Sequence, residues 1–277
     1  MGLFAAYGIL GTLGGVLVTR IDTIMVAGLI EGYEKTGIYS FSNNVSNIIT
    51  IPFSSFFAIA SPLISKHIYN EEMEDIRDLY VRSSISLLAV GLAIFFLLWL
   101  SIDELFLMTG NYDQVSLGKY AFFCLGLSKV IDMVTGINGQ IITFSKYYRF
   151  NLLAVFLLGF LNIGLNYYFV PLYGLLGAAI GTLVSLTTFN LIKYLFVLFV
   201  FKMQPFTLKT VLVIIFGFSA FCLASILPDS GLIIVNIILN SIVFGLSFLF
   251  LMLYFNPSKD LTSLYKEGVK KLSRFFR

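Results

Sequence analysis

Two charged residues stand two positions apart inside an apolar run of the sequence. Arg20 and Asp22 belong to the hydrophobic stretch at residues 3–29. A charged side chain at bilayer depth costs about 2.5–3.5 kcal/mol on insertion scales, so it is rarely retained without a partner, a hydrated cavity or a function. Residues two apart point roughly 200° away from each other around a helix, so we expect these two to find separate partners. The charges indicate either a transport pathway or an ion pair that only fixes helix packing.

A later apolar run, at residues 116–144, carries the next two charges. Lys129 and Asp132 are three residues apart, so they share one helix face and can pair there while facing a cavity. The same helical spacing extends this face into a polar stripe through Gly136, Gln140 and Thr143.

Uncharged polar residues repeat at helical spacing in two other apolar runs. The second run carries Ser40, Asn43, Asn47, Thr50 and Ser54, and the fifth carries Gly159, Asn162 and Asn166. A single polar residue in a membrane span usually forms an interhelical hydrogen bond, which stabilises helix packing by about 0.6 kcal/mol. Three stripes together favour a hydrated cavity, surrounded by the first, second, fourth and fifth runs, that accepts a polar or anionic substrate.

The apolar runs that hold these residues are long enough to cross a membrane. Hydrophobic residues make up 58% of the 277-residue chain and charged residues only 12%, against about 25% charged in a soluble domain. We therefore expect an all-α, polytopic helical membrane protein. About eight spans are predicted, at residues 3–29, 37–61, 81–102, 116–144, 149–170, 174–200, 208–227 and 231–255.

The positions of lysine and arginine predict the orientation of the spans. Basic residues collect in one set of connections, whereas the opposite set has little beyond Lys35. Because basic loops stay on the cytoplasmic side, we expect both chain ends in the cytoplasm. The basic segment 257–277 has the pattern of an amphipathic helix on an anionic membrane surface, and a solvated tail is the alternative.

Other residue types indicate packing rather than chemistry. Glycines at the start of the sixth span clear a smooth face for close helix contact; they are Gly174, Gly177 and Gly181. The last two spans contain almost nothing polar, which is typical of peripheral, lipid-facing helices. With a single histidine and both cysteines inside apolar runs, no metal site or disulfide is expected. A net charge of +3 gives no reason to expect a nucleic-acid partner.

Three segments are similar to segments of a known transporter family. They read R-I-D-T-I-M-V-A at 20–27, G-I-Y-S-F-S-N-N-V at 37–45, and, at 162–185, a longer segment that opens with N-I-G-L-N. The chain thereby resembles the polysaccharide-export flippases, the Wzx-like lipid-linked oligosaccharide transporters of the MOP/MATE superfamily. The segment at 162–185 is the most specific of the three.

The resemblance implies an architecture. Members of this superfamily usually have two lobes of helices around a central cavity. Residues 1–202 would form the C-terminal lobe, 203–256 two additional peripheral helices, and 257–277 a basic cytoplasmic tail. Since alternating access requires two lobes, the chain would be a fragment of a larger transporter or would work with a second copy.

The resemblance also implies a cargo and roles for the polar residues. An undecaprenyl pyrophosphate-linked glycan, for O-antigen of lipopolysaccharide or another surface polysaccharide, would be flipped across the bacterial inner membrane without an enzymatic step. Arg20 and Lys129 would meet the phosphates, because cations in a low-dielectric cavity bind phosphate oxygens well. Asp22 and Asp132 would hold those cations or take up a coupling proton or sodium ion. Sugar hydroxyls would be bound by the amides of Asn43, Asn47, Gln140, Asn162 and Asn166.

Other functions stay open on the residues alone. A MATE-like exporter of small cationic compounds would be expected to have mainly acidic residues in its cavity. The predicted cavity here has two cationic and two acidic residues. A membrane-embedded glycan polymerase generally carries a sizeable extramembrane loop, and no predicted loop exceeds about twenty residues. A purely structural scaffold would not need the polar stripes.

Overall fold

The structure, a computed structural model, describes residues 21–30, 32–108, 115–228, 231–258 and 260–263. Arg20, most of the first predicted span and residues 264–277 of the predicted tail lie outside these ranges. Every regular element within them is helical. The helices are α1 (21–29), α2 (Tyr33–Asn47), α3 (Ile51–Tyr69), α4 (Met73–Leu100), α5 (Ile102–Leu107), α6 (Val115–Val134), α7 (Asn138–Phe144), α8 (Tyr148–Tyr173), α9 (Leu175–Phe196), α10 (Leu208–Ser225) and α11 (Ile233–Phe255).

Among the described residues, six helical units are long and apolar enough to cross a membrane. They correspond to the second, third, fifth, sixth, seventh and eighth predicted spans. A seventh is formed if α6 and α7, whose axes differ by 54°, cross together. The predicted fold class, a polytopic all-α membrane protein, is therefore confirmed. The first predicted span is described only as α1, so the total of eight stays a prediction.

The second span is interrupted near its middle. A 3-10 turn, Ile48–Thr50, separates α2 from α3, and Pro52 stands at the start of α3. Proline has no N–H, and its ring clashes with the carbonyl four residues earlier, so the regular bond to Ile48 cannot form. The polar stripe of this span is thus divided between two helices.

The fourth predicted span is broken where its polar stripe would have continued. Gly136, between α6 and α7, has a φ of +59°, and a Cβ added to it would lie 3.3 Å from the backbone nitrogen of Ser84. Ser84 Oγ donates a 2.5 Å hydrogen bond to the carbonyl of Val134, which satisfies an acceptor at the end of α6. The stripe is therefore split, with Lys129 on α6 and Gln140 on α7.

Helix α4 lies at the centre of the apolar packing. It contacts α3, α6, α10 and α11. Phe95 of α4 stacks on Phe122 of α6, with ring centroids 6.0 Å apart. Gly126 leaves room for this stack, because a Cβ there would lie 2.8 Å from the Phe95 ring. Helices α10 and α11 pack on α4 and on each other, and many of their large apolar side chains are exposed, which suits contact with lipid.

Helices α8 and α9 form a closely packed hairpin. Gly177 faces the α8 backbone, where a Cβ would lie 2.1 Å from the carbonyl oxygen of Phe169. Gly181 faces Asn166, whose backbone nitrogen would lie 3.4 Å from such a Cβ. The third predicted packing glycine, Gly174, lies instead in the turn between the helices, with a φ of +58° and open space around it.

Replacement of Gly177 by alanine should destabilise the folded protein by about 1–3 kcal/mol, because the methyl group would collide with a backbone carbonyl of α8. Gly164→Ala on α8 is the matched control, since a Cβ at Gly164 has nothing within 4 Å. Thermal unfolding of both variants in detergent is the measurement. Equal melting temperatures for the two variants would contradict the close contact.

Candidate functional site: a buried polar network

Asp22 of α1 is buried in the helical bundle, with only 4% of its surface exposed. Its Oδ2 accepts a 2.8 Å hydrogen bond from Thr182 Oγ1 of α9. Its Oδ1 accepts a 3.2 Å hydrogen bond from Asn166 Nδ2 of α8. Such donors are needed because a buried charge without hydrogen bonds is very costly. One carboxylate thus joins three helices.

Two asparagines one turn apart on α8 supply the next contacts. Asn166 Nδ2 lies 2.9 Å from Asn162 Oδ1 and 2.9 Å from the Asn162 carbonyl oxygen. Together with Asp22, three oxygens surround an amide nitrogen that carries only two hydrogens. Asn166 Oδ1 has no hydrogen-bond partner among the described residues. The network therefore holds more acceptors than donors.

Tyr39 of α2 borders this network. Its side chain is fully buried, and it interacts electrostatically with Asp22. Its hydroxyl interacts with Thr182, but within the described part of the chain it forms no hydrogen bond of regular geometry. A buried cluster that is rich in oxygen and contains one carboxylate suits a proton or a hard monovalent cation, because either one neutralises the carboxylate in the low-dielectric interior.

Lys129 and Asp132 of α6 extend the polar interior beyond Asp22. The Lys129 ammonium interacts electrostatically with Asp132 and, more weakly, with Asp22. Neither carboxylate lies within 4.0 Å of it in the described structure. Lys129 is therefore attracted to two carboxylates without being locked to either, which leaves its N–H groups available to a ligand.

Lys193 of α9 adds a buried cation that the sequence analysis did not single out. Only 7% of its surface is exposed, and its charge interacts with Asp132. Its Nζ lies 4.0 Å from the centre of the Phe189 ring, a cation–π distance. Asn190, one turn earlier, receives a 3.2 Å hydrogen bond from Thr135 at the end of α6. The interior charges therefore alternate from Asp22 through Lys129 and Asp132 to Lys193.

The structure brings together five of the predicted site residues, Asp22, Lys129, Asp132, Asn162 and Asn166, and leaves others apart. Asp22, Asn162 and Asn166 are in direct contact or share a hydrogen bond, and Lys129 interacts with Asp22 at longer range. Arg20 lies outside the described residues. The remaining predicted residues of the described chain take no part in the hydrogen bonds of the network: Asn43, Asn47 and Gln140 are partly or fully exposed.

The exposed polar face of α3 borders an open groove of about 530 Å³. Ser54, Ser61 and Ser65 line it, together with Phe57 and Phe144. Ser54 Oγ donates a 2.8 Å hydrogen bond to the carbonyl of Ile51 in its own helix, and the hydroxyls of this face suit water or protein beside them. Ser54 is the last residue of the polar stripe predicted for the second span. Ser61 and Ser65 continue this stripe along α3.

Thr182 and Lys193 are the functional candidates that sequence reasoning missed. Lys193 is a charge inside the predicted span at 174–200, the same signal that drew attention to Arg20. Thr182 had no such signal, because a threonine in a span usually bonds its own helix, and Thr182 Oγ1 also lies 3.0 Å from the Ala178 carbonyl. Its contact to Asp22 appears only when α1 and α9 meet.

A separate polar cluster lies at the turn between α3 and α4. His67 Nδ1 and Glu72 Oε2 are hydrogen-bonded at 2.5 Å, and Asp75 Oδ2 lies 3.8 Å from the same nitrogen. The bond to His67 holds the pKa of the Glu72 carboxyl below its ordinary value. These three groups could hold a cation, although exposed acidic groups cluster commonly without one. The expectation of no metal site stays a prediction.

The fold and its buried charges define a polytopic helical membrane protein with a polar interior. Comparison with protein-family models, with curated proteins and with solved structures gave no match for this chain. The likeness to the flippases therefore rests on the sequence segments at 20–27, 37–45 and 162–185.

Thr182→Val should destabilise the protein by about 1–3 kcal/mol, because it removes the hydroxyl donor and leaves one oxygen of the buried Asp22 carboxylate unsatisfied. Valine keeps the shape of threonine, so packing is preserved. Thr188→Val, at a partly buried position on the same helix, is the control. Thermal unfolding in detergent is the readout, and a Thr182→Val protein as stable as the control would refute the contact.

Proposed function

We propose that this chain forms a lobe of a transporter that flips undecaprenyl-linked oligosaccharide units across the bacterial inner membrane. The protein acts on the orientation of its cargo and breaks no covalent bond. The observation that carries the proposal is the row of alternating charges inside the bundle, in which Asp22 and Lys193 are buried and Lys129 and Asp132 are partly buried. Charges at bilayer depth are expensive and are retained mainly where they serve a transport pathway.

The cationic members of this row suit the phosphates of the cargo. Lys129 is partly exposed and is not held within 4.0 Å of a described carboxylate, so its ammonium can turn to a phosphate oxygen. Arg20, which we assign to the same role from the sequence, would add a planar fork that binds phosphate through two parallel hydrogen bonds.

The oxygen-rich site around Asp22 suits the coupling ion. A proton or sodium ion bound there would neutralise one of the two carboxylates that attract Lys129. The ammonium would then interact more strongly with an anionic cargo. Occupancy of the ion site and affinity for the phosphates would thereby be coupled, and reciprocally so.

A second polar surface, on α3, supports a hydrated pathway. The polar face of α3, with Ser54, Ser61 and Ser65, lies open beside a groove and could contact the sugars. In the superfamily that the sequence resembles, a second lobe completes the cavity, so we propose that another lobe or a second copy faces this groove. We propose that the side with the basic connections faces the cytoplasm, because basic loops stay on that side of a membrane.

Lys129→Ala should lower glycan export about tenfold or more, because it removes a charge-assisted contact to phosphate. Lys119→Ala is the control on the same helix, since Lys119 pairs with Asp103 outside the network. The measurement is the leaflet distribution of lipid-linked single repeat units in a deletion strain that carries each variant at matched membrane levels. Arg20→Ala should behave like Lys129→Ala.

The leaflet in which lipid-linked single repeat units accumulate in the deletion strain distinguishes the candidate functions. Single units held on the cytoplasmic face support the flippase. Single units on the outer face would indicate a glycan polymerase instead. No accumulation in the deletion strain would favour a MATE-like exporter, whose cargo is unrelated to the glycan. Normal export by the Lys129→Ala protein would contradict the phosphate role.

Asp22→Asn should abolish stabilisation of the purified protein by the coupling ion. For the wild type, sodium at ten times its dissociation constant raises the free energy of unfolding by about 1.4 kcal/mol. Choline chloride at equal ionic strength corrects for screening, and Asp103→Asn is the control variant. A sodium response in Asp22→Asn equal to that of the wild type would refute the site. Stabilisation of the wild type on acidification, and none by sodium, would assign the proton.

A further inference from the structure

A cavity of about 650 Å³ lies apart from the buried network, between α4, the start of α10 and the segment that follows α11. We call it the α4–α10 cavity. Four charged side chains line it, namely Asp78, Arg82, Lys209 and Asp260. The rest of the lining is mainly apolar, including Val81 and Ile85. A wall that is part charged and part apolar is typical of a site at the boundary between water and lipid.

The charges in this cavity are separated into two sides. Arg82 is hydrogen-bonded to Asp78, with Nη1 and Oδ2 3.2 Å apart, and to both carboxylate oxygens of Asp260. One guanidinium and two carboxylates leave this side with a net negative charge. Lys209 has no carboxylate within 4.0 Å in the described structure, so the opposite side is positive.

The start of α10 adds to the positive side. Helix α10 begins at Leu208, and Lys209 belongs to its first turn. Thr207 and Thr210 form a capping box that takes up two backbone N–H groups at this end. The N–H groups of Leu208 and Lys209 have no acceptor within the helix, and the helix dipole is positive here. Together with the ammonium of Lys209, they form a setting that favours a phosphate oxygen.

An apolar groove begins about one turn farther along α4. It has a volume of about 230 Å³ between α4 and α11 and is lined by Ala89, Ala93, Phe248, Met252 and Leu261. We call it the α4–α11 groove. Asp260 lines the cavity and the next residue, Leu261, lines this groove. The polar site and the apolar site therefore adjoin.

We propose that the α4–α10 cavity binds the headgroup of a zwitterionic aminophospholipid from the adjoining leaflet. The phosphate meets Lys209 and the start of α10, and the primary ammonium meets Asp78 and Asp260. One acyl chain lies in the α4–α11 groove. The lining has two positive and two negative side chains, which matches a headgroup of no net charge. This site is independent of the proposed transport function.

The choice of headgroup follows from the negative side of the cavity. A primary ammonium donates hydrogen bonds to carboxylates, whereas a trimethylammonium group has no N–H to donate. A glycerol headgroup carries no positive charge to meet the two aspartates, so the net negative charge on that side of the cavity stays unbalanced. Phosphatidylethanolamine should therefore bind better than either phosphatidylcholine or phosphatidylglycerol.

The test is native mass spectrometry of the full chain, purified in detergent, delipidated, and titrated with each of the three lipids. Phosphatidylethanolamine should bind at one saturable site, about tenfold more tightly than the other two lipids. Equal or tighter binding of phosphatidylglycerol would overturn the zwitterionic assignment. Absence of saturable binding for all three would overturn the site.

Two variants at exposed positions test the two ends of the headgroup. Lys209→Ala should weaken phosphatidylethanolamine binding about tenfold, and Lys66→Ala, an exposed lysine outside the cavity, is its control. Asp78→Asn should reduce the preference for phosphatidylethanolamine over phosphatidylcholine, and Glu74→Gln, one turn earlier on α4, is its control. Circular dichroism checks that each variant is folded. Equal losses in variants and controls would refute the placement of the headgroup.

Discussion

The burial of the Asp22 carboxylate is the interaction on which the rest of the polar interior depends. In a low-dielectric bundle its charge must be met by donors from the protein, and these come from different helices: Asn166 on α8 and Thr182 on α9. Helices α8 and α9 can present both donors only because they pack closely. Gly177 permits this contact, since a Cβ there would lie 2.1 Å from the carbonyl oxygen of Phe169 on α8. The hydrogen bonding of the Asp22 carboxylate therefore depends on the close packing of α8 and α9.

The need to satisfy buried polar groups also explains how the break between α6 and α7 is tolerated. A positive φ at Gly136 ends α6, and Ser84 of α4 satisfies a carbonyl that the break frees. The broken end places Thr135 against Asn190 of α9. Lys193, one turn farther along α9, lies near enough to Asp132 to interact with it. The alternating charges thus depend on an irregular helix whose freed groups are satisfied by its neighbours.

Sequence reasoning succeeded where a single helix decides the outcome. The apolar runs predicted the membrane helices, and the i,i+4 spacing of Asn162 and Asn166 placed both amides on one buried face of α8. It did not find the split of the fourth span's stripe, because the spacing rule assumes an unbroken helix. Lys193 was detectable as a charge in an apolar span, whereas the contact of Thr182 to Asp22 was not detectable from spacing.

The sequence by itself determined the class of protein, since apolar length and the scarcity of charge permit only membrane-spanning helices. It also determined which residues are costly in a membrane and therefore need an explanation. Only the tertiary structure decided which of them meet. Asp22 and Thr182 are 160 positions apart in the chain, and no local pattern links residues on different helices. Their contact is fixed by how the helices pack, which depends on glycines, breaks and burial distributed over the whole bundle.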